Sequence, residues 1–550
     1  MKAHNLWLAA ALALLLNLAG AARAGAADAV VGSGAPASCT EAAFDAALAT
    51  ASNGGGVITF NCGPDAATIP LSVTKIVNLG NVTIDGGGRI VLRAGVNERH
   101  FFVGSGITFR LRNITLREGD SLVSGGAIET SGATVVLTNV QLRENRSSVN
   151  GGAIYCFDGA LTITNSLLEN NSAGGGGGAI YNDGCTVTIT GSTLRGNRAT
   201  DAVSRGGAIE HQPPGVLTLA ASLLQDNRAG DGGGLYIAAG ATASVSGATF
   251  RANRGGHGGG AENSGALTVT DSLFDDNSVT GSGGGLWNMG GTATVRRTAF
   301  RNNHAFEGGG VNSYGSQAEL IDVNITGNVA NGGHGGGLYH GGGTLFVTNA
   351  TVSGNQASDP AGNGGGVYQS SDDNLVLTNV TLANNHAGAL GGGLYHFARY
   401  AILTNVTLAG NTAAAAGNAI YEDSPMSPGS PGVVQLANSV LLGSANNCDG
   451  GLFASLGHNL SSGTCAGLVD PTDQDNFAGN LLLGPLTFNG GAFPMQTRLP
   501  QAGSPLIDAG DPGACLAYDQ RRATRVGGCD IGAVEYGARA FALYLPAIER

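Results

Sequence analysis

Short stretches of apolar residues alternating with polar ones recur along most of this chain. Leu161-Thr162-Ile163-Thr164 and Val187-Thr188-Ile189-Thr190 are two copies of the pattern. Alternation with period two, together with enrichment in Thr and Val, is typical of β-strands. The pattern therefore predicts strands, rather than helices, as the repeated element.

An asparagine closes each copy of the repeat, with Leu, Phe, Ile or Val three residues before it. These asparagines are Asn145, Asn171, Asn197, Asn227, Asn253, Asn277, Asn303, Asn328, Asn355, Asn385 and Asn411. Successive members lie 24 to 30 residues apart, most often 26. Such a period indicates a solenoid, and a strand-only unit of this length is too short for a propeller blade of roughly 40 residues. We therefore predict an all-β fold, a parallel β-helix of about 14 to 16 coils spaced ~4.8 Å apart.

Stacked coils place equivalent residues directly above one another, so repeated residues form ladders. The closing asparagine suits a bend because its side chain tolerates left-handed backbone and bonds its own turn. Stacked asparagine amides can also bond one another along the axis. The Gly-Gly pairs before Ala153 and Ala179 allow a tight corner. The coils of 30 residues that end at Asn227 and Asn385 are expected to place their extra residues in bends.

The first 118 residues carry two signals that precede the regular repeat. Residues 1–24 have the features of a secretory signal: a basic start at Lys2, an apolar run, and the small-x-small site Ala22-Arg23-Ala24. We therefore expect a secreted or cell-surface protein with no transmembrane segment after signal removal. Residues 38–118 are predicted to form an N-terminal cap and irregular first coils. The cap begins with a capping box, Ser38-Cys39-Thr40-Glu41, that starts a short helix ending near Ser52.

The regular repeats are predicted over residues 119–470, and a compact, turn-rich module over residues 471–550. The prolines Pro425, Pro428 and Pro431 interrupt the pattern, and Phe541 to Ile548 is predicted to be a final short strand. An even number of cysteines on an exported chain favours disulfides. Proximity in sequence suggests three pairs in the end regions, and a fourth bond in the repeats is plausible because its cysteines lie one coil plus three residues apart. The pairs are Cys39 with Cys62, Cys156 with Cys185, Cys448 with Cys465, and Cys515 with Cys529.

Composition narrows the possible partners. Hydrophobic residues make up 42% of the chain and charged residues 12%, which argues against disorder despite the 94 glycines. The formal net charge is -12. Because phosphate binding requires a basic face, we do not expect nucleic acid as a partner.

Two parts of the chain resemble known families. Gly-Gly-Ala-Ile at 125–128, 151–154, 177–180 and 206–209, with Phe-x-x-Asn at 250–253, 274–277 and 300–303, resembles the repeat of polymorphic outer-membrane proteins. That resemblance implies a right-handed β-helix and a role in surface adhesion. The segments Gly503 to Asp511, Asp519-Gln520-Arg521 and Cys529 to Glu535 resemble the choice-of-anchor Q domain of bacterial surface proteins.

Catalysis on polysaccharides is the main alternative, because parallel β-helices commonly carry lyases and hydrolases. Such sites need two or three carboxylates on adjacent coils. Glu129, Glu210 and Glu262 occupy equivalent coil positions, but aromatic residues separate them by about two coils, ~10 Å or more. We interpret these acids as part of a solvated face. No histidines have metal-ligand spacing on adjacent coils, so we expect no catalytic residue, cofactor or metal site.

Aromatic residues recur at one coil position. They are Tyr155, Tyr181, Tyr236, Trp287, Tyr339, Tyr368, Tyr395 and Tyr421. Two interpretations stay open: the rings pack on one another as part of the scaffold, or Tyr339, Tyr368, Tyr395 and Tyr421 face solvent and bind sugar rings. We predict an exported adhesion or binding protein whose partner is a cell-surface glycan or a host or neighbouring cell. A polysaccharide lyase or glycoside hydrolase comes second, and a structural spacer third.

Overall fold

The part of the chain that the structure describes forms a parallel β-solenoid of about 16 turns, with one α-helix near its N-terminal end. The computed structural model describes residues 27–315, 317–371, 373–423, 432–443, 446–491 and 493–540. The predicted signal at 1–24, the prolines at 425, 428 and 431, and the predicted strand at 541–548 lie outside these ranges. The predicted fold class and coil length are confirmed.

Each regular coil contributes one strand to a first sheet, two to a second and a two-residue strand to a third. We call these sheets I, II and III. Sheet I has 15 strands: Lys75–Val77, Phe101–Val103, Ile128–Ser131, Ile154–Phe157, Ile180–Asp183, Ile209–Gln212, Leu235–Ile237, Ala261–Asn263, Leu286–Met289, Val311–Tyr314, Leu338–His340, Val367–Gln369, Leu394–His396, Ile420–Glu422 and Cys448–Gly450.

Sheet II has 29 strands, and its length reflects the two strands that most coils give to it. They are Ala29–Val31, Gly56–Phe60, Ala67–Leu71, Val82–Ala94, Thr108–Arg117, Thr134–Thr138, Gln141–Arg143, Ala160–Thr164, Leu167–Glu169, Thr186–Thr190, Thr193–Arg195, Val216–Ala220, Leu223–Gln225, Thr242–Ser246, Thr249–Arg251, Ala266–Thr270, Leu273–Asp275, Thr292–Arg296, Ala299–Arg301, Gln317–Ile321, Asn324–Thr326, Leu345–Ser353, Asn374–Ala383, Tyr400–Thr404, Thr407–Ala409, Val433–Ala437, Val440–Leu442, Phe453–Ser455 and Leu460–Ser461.

Sheet III consists of two groups, of four and seven strands. They are Asp120–Ser121, Arg146–Ser147, Ser172–Ala173 and Arg198–Ala199, then Arg254–Gly255, Ser278–Val279, His304–Ala305, Val329–Ala330, Gln356–Ala357, His386–Ala387 and Thr412–Ala413. Single parallel bridges through Arg228 join the two groups. Beyond the solenoid, Thr487–Phe488 and Gln496–Thr497 pair antiparallel.

The closing asparagines form a buried hydrogen-bonded ladder. The backbone N–H and the Nδ2 of Asn171 both donate to Oδ1 of Asn197, each at 3.0 Å, and Nδ2 also donates to the carbonyl of Leu142 at 3.0 Å. The positive φ lies at the residue immediately before each ladder asparagine, as at Asn170 (φ 55°). The prediction that the closing asparagine itself has left-handed backbone was therefore wrong. The ladder asparagine instead satisfies backbone groups inside the coil, where an unpaired polar group would be costly.

The N-terminal helix, α1, spans Glu41–Ser52 and packs on the first coils through its apolar side. Phe44 is buried, with its ring 6.2 Å from that of Phe60 and 6.5 Å from that of Phe101. The predicted capping box was wrong in detail. Thr40 is the N-cap and accepts from the Ala43 N–H, because Ser38 ends a preceding 3₁₀ turn and donates to the carbonyl of Ala35. None of the helices in the described ranges is long and apolar enough to cross a membrane.

The C-terminal module lies along the last coils and contacts sheet II. Gln520 is buried, and its side chain donates to the carbonyl of Ala350 and to Thr351 Oγ1, both at 2.8 Å, while accepting from Thr381 Oγ1 at 2.6 Å. Arg522 pairs with Asp322 at 2.9 Å. The Asp-Gln-Arg segment singled out in the sequence therefore docks the module onto the solenoid.

The four cysteine pairs suggested by the sequence lie at disulfide distance. Their Cα–Cα separations are 5.6, 6.1, 4.6 and 6.4 Å for Cys39–Cys62, Cys156–Cys185, Cys448–Cys465 and Cys515–Cys529. Cys156–Cys185 links two successive coils at the corner between sheets I and II, where register places Cys156 beside Asn182. Of the other three pairs, Cys39–Cys62 lies before the regular coils, Cys448–Cys465 lies in the last coils, and Cys515–Cys529 lies within the C-terminal module.

Candidate functional site

The outward face of sheet I carries the ladder with the richest chemistry. Strand register aligns one outward residue from each coil. We call this the outward ladder: Glu129, Tyr155, Tyr181, Glu210, Tyr236, Glu262, Trp287, Asn312, Tyr339, Tyr368, Tyr395, Tyr421 and Asp449. Because alternate residues of a strand point to opposite faces, these side chains share the outer surface.

The four tyrosines proposed as a ligand ladder stack on one another. Ring centroids are 5.0 Å apart for Tyr339 and Tyr368, 4.9 Å for Tyr368 and Tyr395, and 5.8 Å for Tyr395 and Tyr421. Tyr368 and Tyr395 are only 9% and 5% exposed. Two of the hydroxyl groups also form hydrogen bonds. The Tyr339 hydroxyl lies 3.0 Å from the Ser370 hydroxyl, and the Tyr395 hydroxyl donates to the Asp423 carboxylate. The inner ring faces are therefore covered by protein, which favours the scaffold interpretation, and sugar binding by these tyrosines stays a prediction.

A second ladder runs beside the first, formed by the residue immediately before the glycine run in each bend. We call it the bend ladder. Between residues 205 and 334 it contains Arg205, Asp231, His257, Ser282, Glu307 and His334. Single parallel bridges join Arg205 to Asp231, Asp231 to His257, and Ser282 to Glu307. The following glycine, such as Gly206 with φ 64°, turns the backbone sharply into the next strand of sheet I. That turn brings the bend residue against the outward ladder.

Contacts between the two ladders run diagonally, from the bend of one coil to the strand of the next. The guanidinium carbon of Arg205 lies 4.8 Å from the Tyr236 ring centroid. His257 stacks on Trp287 at 4.2 Å and His334 on Tyr368 at 4.4 Å. In the same diagonal relation, Gly176 faces Glu210: a β-carbon at position 176 would collide with Oε2 of Glu210.

Glu210 and Glu262 are buried, at 6% and 4% exposure, so their interpretation as a solvated face was wrong. Burial raises the pKa of Glu210 to about 7, against the opposing effects of a hydrogen bond from Gln212 at 2.6 Å and the charge of Arg205. Burial raises the pKa of Glu262 to about 8, the charge of Asp231 adds to the rise, and Arg205 opposes it. Oε2 of Glu262 has no hydrogen-bond partner among the described residues. Glu262 is therefore mostly protonated at pH 7, whereas Glu210 is about half protonated.

Glu210 opens onto a cavity of about 170 Å³. Its wall includes Tyr181 and Arg205, with Gly176 on one side and the overhanging loop at 201–205 on the other. This loop holds three of the extra residues in the coil of 30 that ends at Asn227. A carboxyl group whose pKa lies near the working pH is suited to proton transfer, and the adjacent guanidinium could hold an anionic group. The cavity is smaller than the ~300 Å³ at the low end of small-molecule pockets.

Sequence reasoning found the outward ladder but missed Arg205 and Asp231. Those residues lie in bends, and only the corner geometry shows that they reach the ladder. A usable signal was present, since each stands directly before a glycine run at the same place in its coil. Glu129 does not join the cluster: it lies three coils before Glu210 and pairs with Arg99 of the adjacent coil.

Other histidines and acids outside this cluster already contact protein groups. His211, His340 and His396 lie in a buried inner column of sheet I, where His211 contacts Asn182 Nδ2 at 2.8 Å and the carbonyl of Thr242 at 2.9 Å. In the C-terminal module, Asp508, Asp530 and Glu535 bring carboxylate oxygens within 4.8 Å of one another. Protein groups already contact them: the Asp508 N–H donates to Asp530 at 2.8 Å and Arg525 donates to Glu535 at 2.8 Å.

Comparison with known proteins identifies the repeat. A family model of the Chlamydia polymorphic membrane protein repeat matches residues 139–156 and 165–183. No curated protein matches the chain in a sequence comparison. The choice-of-anchor resemblance of the C-terminal module stays a prediction.

Comparison with solved structures finds matches at low identity and low TM-score. The A-module of a mannuronan C-5 epimerase from Azotobacter vinelandii is 14% identical with a TM-score of 0.33, and the match covers 79% of this chain and 99% of that one. A double mutant of a periplasmic alginate epimerase is 12% identical with a TM-score of 0.31, covering 73% and 78%. A pectate lyase is 14% identical with a TM-score of 0.21, covering 90% of each chain. We draw no functional argument from likenesses at this level. The fold and the matched segments together make this chain a parallel β-helix protein with repeats similar to those of Chlamydia polymorphic membrane proteins.

Proposed function

We propose that this chain is an exported surface protein that acts by binding extended carbohydrate on a host or neighbouring cell. The observation that carries the proposal is the polymorphic-membrane-protein repeat at 139–156 and 165–183. The same asparagine and glycine positions continue to Asn411, which gives a regular surface roughly 50 Å long. A long, regular surface suits an elongated partner better than a small one.

Carbohydrate is the favoured ligand class because the surface groups repeat once per coil. Bends and the outward ladder offer carboxyl, imidazole, guanidinium and phenol groups at ~4.8 Å intervals along the axis. That interval is close to the length of one residue in an extended polysaccharide, so a chain lying along the axis can form the same contact repeatedly. Individual contacts of this kind are weak, and many copies at a surface supply avidity.

The test has an export arm and a binding arm. The full chain is expressed with its leader in a Gram-negative host, the mature N-terminus is sequenced, and intact cells are treated with protease. Cleavage near Ala24 and protease-sensitive surface protein support the proposal; protein retained in the cytoplasm with residue 1 intact contradicts it. The purified protein is then applied to a glycan array and to intact cells, and failure to bind either contradicts the binding role.

A second candidate, an enzyme acting on polysaccharide, is favoured by one observation: the Glu210 carboxyl, whose pKa burial raises to about 7, faces a cavity beside Arg205 and Tyr181. The purified protein is incubated with pectate, alginate and neutral glucans, while reducing ends and unsaturated products are followed. Glu210→Gln is compared with Glu319→Gln, whose carboxylate is exposed and paired with Arg296 at 2.9 Å. Product release that Glu210→Gln abolishes and Glu319→Gln keeps would make catalysis the function.

A further inference from the structure

Three arginines stack in consecutive coils along sheet III. Parallel bridges join Arg198 to Arg228 and Arg228 to Arg254, and all three side chains are exposed. They line a groove of about 590 Å³ that runs along the bends and includes His304 toward one end and Asp201 at the other. Its position places the overhanging loop between this groove and the cavity at Glu210, because Asp201 lines both.

These arginines differ from their neighbours in having no acidic partner. Within the described ranges, none of the three has a carboxylate oxygen within 4.0 Å. By contrast, Arg195 pairs with Glu169 at 2.5 Å, and Arg251 and Arg301 both pair with Asp275, at 3.3 and 3.0 Å. Three like charges at coil spacing, ~4.8 Å between backbones, repel one another. This repulsion is present although the chain has a net charge of -12 and many acidic residues that could pair with arginine.

The floor of the groove is made of small residues, so the guanidinium groups stand above open space. Ala199, Ala229, Gly230, Gly255 and Gly256 form much of this floor, and the hydroxyl-bearing residues Thr200 and Thr280 also line it. The volume lies inside the ~300–1,000 Å³ range of ligand pockets. The groove therefore combines positive charge, hydroxyl donors and sufficient room.

We propose that this groove binds an anionic polysaccharide, with its carboxylate or sulfate groups on Arg198, Arg228 and Arg254 and its chain parallel to the solenoid axis. The proposal rests on the carbohydrate-binding function proposed above and specifies the ligand class. Guanidinium groups form paired hydrogen bonds with planar carboxylates and with sulfates, and a ladder of them matches acidic groups that recur once per sugar. Nucleic acid fits less well, because a protein that binds it through roughly six to ten phosphate contacts uses about two to three times the three arginines of this groove.

The test compares two triple variants of the full mature chain that change net charge equally. One is Arg198→Gln/Arg228→Gln/Arg254→Gln; the control is Arg143→Gln/Arg195→Gln/Arg301→Gln, which removes exposed arginines that have acidic partners. Binding is measured by calorimetry or surface plasmon resonance with polygalacturonate, dextran sulfate, unmodified dextran and duplex DNA, at low and physiological salt. We expect the groove variant to lose at least tenfold in affinity for a polyanionic glycan, the control to lose less than threefold, and binding to weaken as salt rises.

The glycan probes also distinguish carboxylate from sulfate as the preferred group. A melting temperature for the groove variant equal to or above that of the unsubstituted protein is expected, since like-charge repulsion is relieved. Equal loss in both variants, or no polyanion binding by the unsubstituted protein, overturns the groove. Tighter binding of duplex DNA than of either glycan also overturns it. If the protein binds unmodified dextran but no polyanion, the groove proposal is contradicted and the broader carbohydrate-binding proposal is not.

Discussion

Arg205 places its guanidinium carbon 4.8 Å from the ring centroid of Tyr236, which lies on the next coil. Tyr236 stands between Glu210 and Glu262 in the outward ladder. The cation therefore sits close to two buried carboxyl groups and lowers the pKa of each, but burial has the larger effect and raises both. The result is a positive charge beside two carboxyl groups whose pKa values, about 7 and about 8, lie well above the usual range.

Glu262 should make the protein less stable as pH rises. Its pKa is about 8 in the folded chain and 4.5 when unperturbed, so between these pH values the folded state holds a proton that the unfolded state releases. The stabilisation is complete below pH 4.5 and is lost as pH rises through 8. Between pH 6 and pH 9 the loss should be about 3 kcal/mol, from ~1.4 kcal/mol per unit. Denaturant titrations at the two pH values measure it.

Glu262→Gln should remove this part of the pH dependence and stabilise the protein at pH 9, because the amide carries no charge to bury. Glu319→Gln, at an exposed carboxylate, is the control and should leave the dependence unchanged. A pH dependence that is the same in Glu262→Gln as in the unsubstituted protein would show that Glu262 is ionised in the folded state.

Tyr368→Ala and Tyr395→Ala should each destabilise the solenoid by roughly 3 to 5 kcal/mol, the usual cost of removing a buried aromatic ring. Each ring lies between two stacked neighbours, and Tyr368 also contacts His334. Tyr314→Ala is the control, because that ring is 52% exposed. Melting temperature and glycan binding are measured together. Loss of binding with stability nearly kept would make the tyrosines a ligand site.

Asn227→Ala should cost more than about 3 kcal/mol, because several buried groups lose their partners at once. Nδ2 of Asn227 donates to the carbonyl of Leu194 and to Oδ1 of Asn253, both at 2.9 Å. Its Oδ1 accepts from the backbone N–H and Nδ2 of Asn197, both at 3.0 Å. Asn374→Ala, at an exposed position, should cost less than ~1 kcal/mol. Similar denaturation midpoints for the two variants would contradict the ladder's importance.

Gln520→Ala should loosen the C-terminal module from sheet II, since it leaves the carbonyl of Ala350 and the hydroxyls of Thr351 and Thr381 without this partner. We expect faster proteolysis within residues 471–540 while the coils stay resistant. Gln501→Ala, at an exposed side chain of the same module, is the control. Equal cleavage rates in the two variants would show that Gln520 does not hold the module in place.

The coil register could be predicted because stacking leaves little freedom. Once Asn171 and Asn197 are recognised as equivalent, every residue between them is placed in its column, and Glu210 is placed beside Tyr181 and Tyr236. What the register cannot provide is the path of the bends. Arg205 and Asp231 reach the outward ladder only because glycines with positive φ turn the chain at Gly206 and Gly232.

Burial of Glu210 was unpredictable for a related reason. Its carboxylate occupies space that a side chain at position 176 would fill, so its exposure depends on a glycine one coil earlier. The helix start was missed because Ser38 and Thr40 are both good caps, and the local turn Pro36–Ser38 decides between them. In both cases a non-local or competing contact overrides the local pattern.

The amide dipoles of the asparagine ladder share one direction along the solenoid axis. In the bonds between successive asparagines, from Asn145 to Asn411, Nδ2 of each residue donates to Oδ1 of the asparagine in the next coil. Their dipoles are therefore aligned, with the oxygen end facing the N-terminal coils. Aligned hydrogen bonds polarise one another, so a rung in the middle of the row strengthens bonds on both sides, whereas a terminal rung strengthens those on one side. Substituting a central asparagine should consequently weaken the stack more than the same change at Asn145 or Asn411.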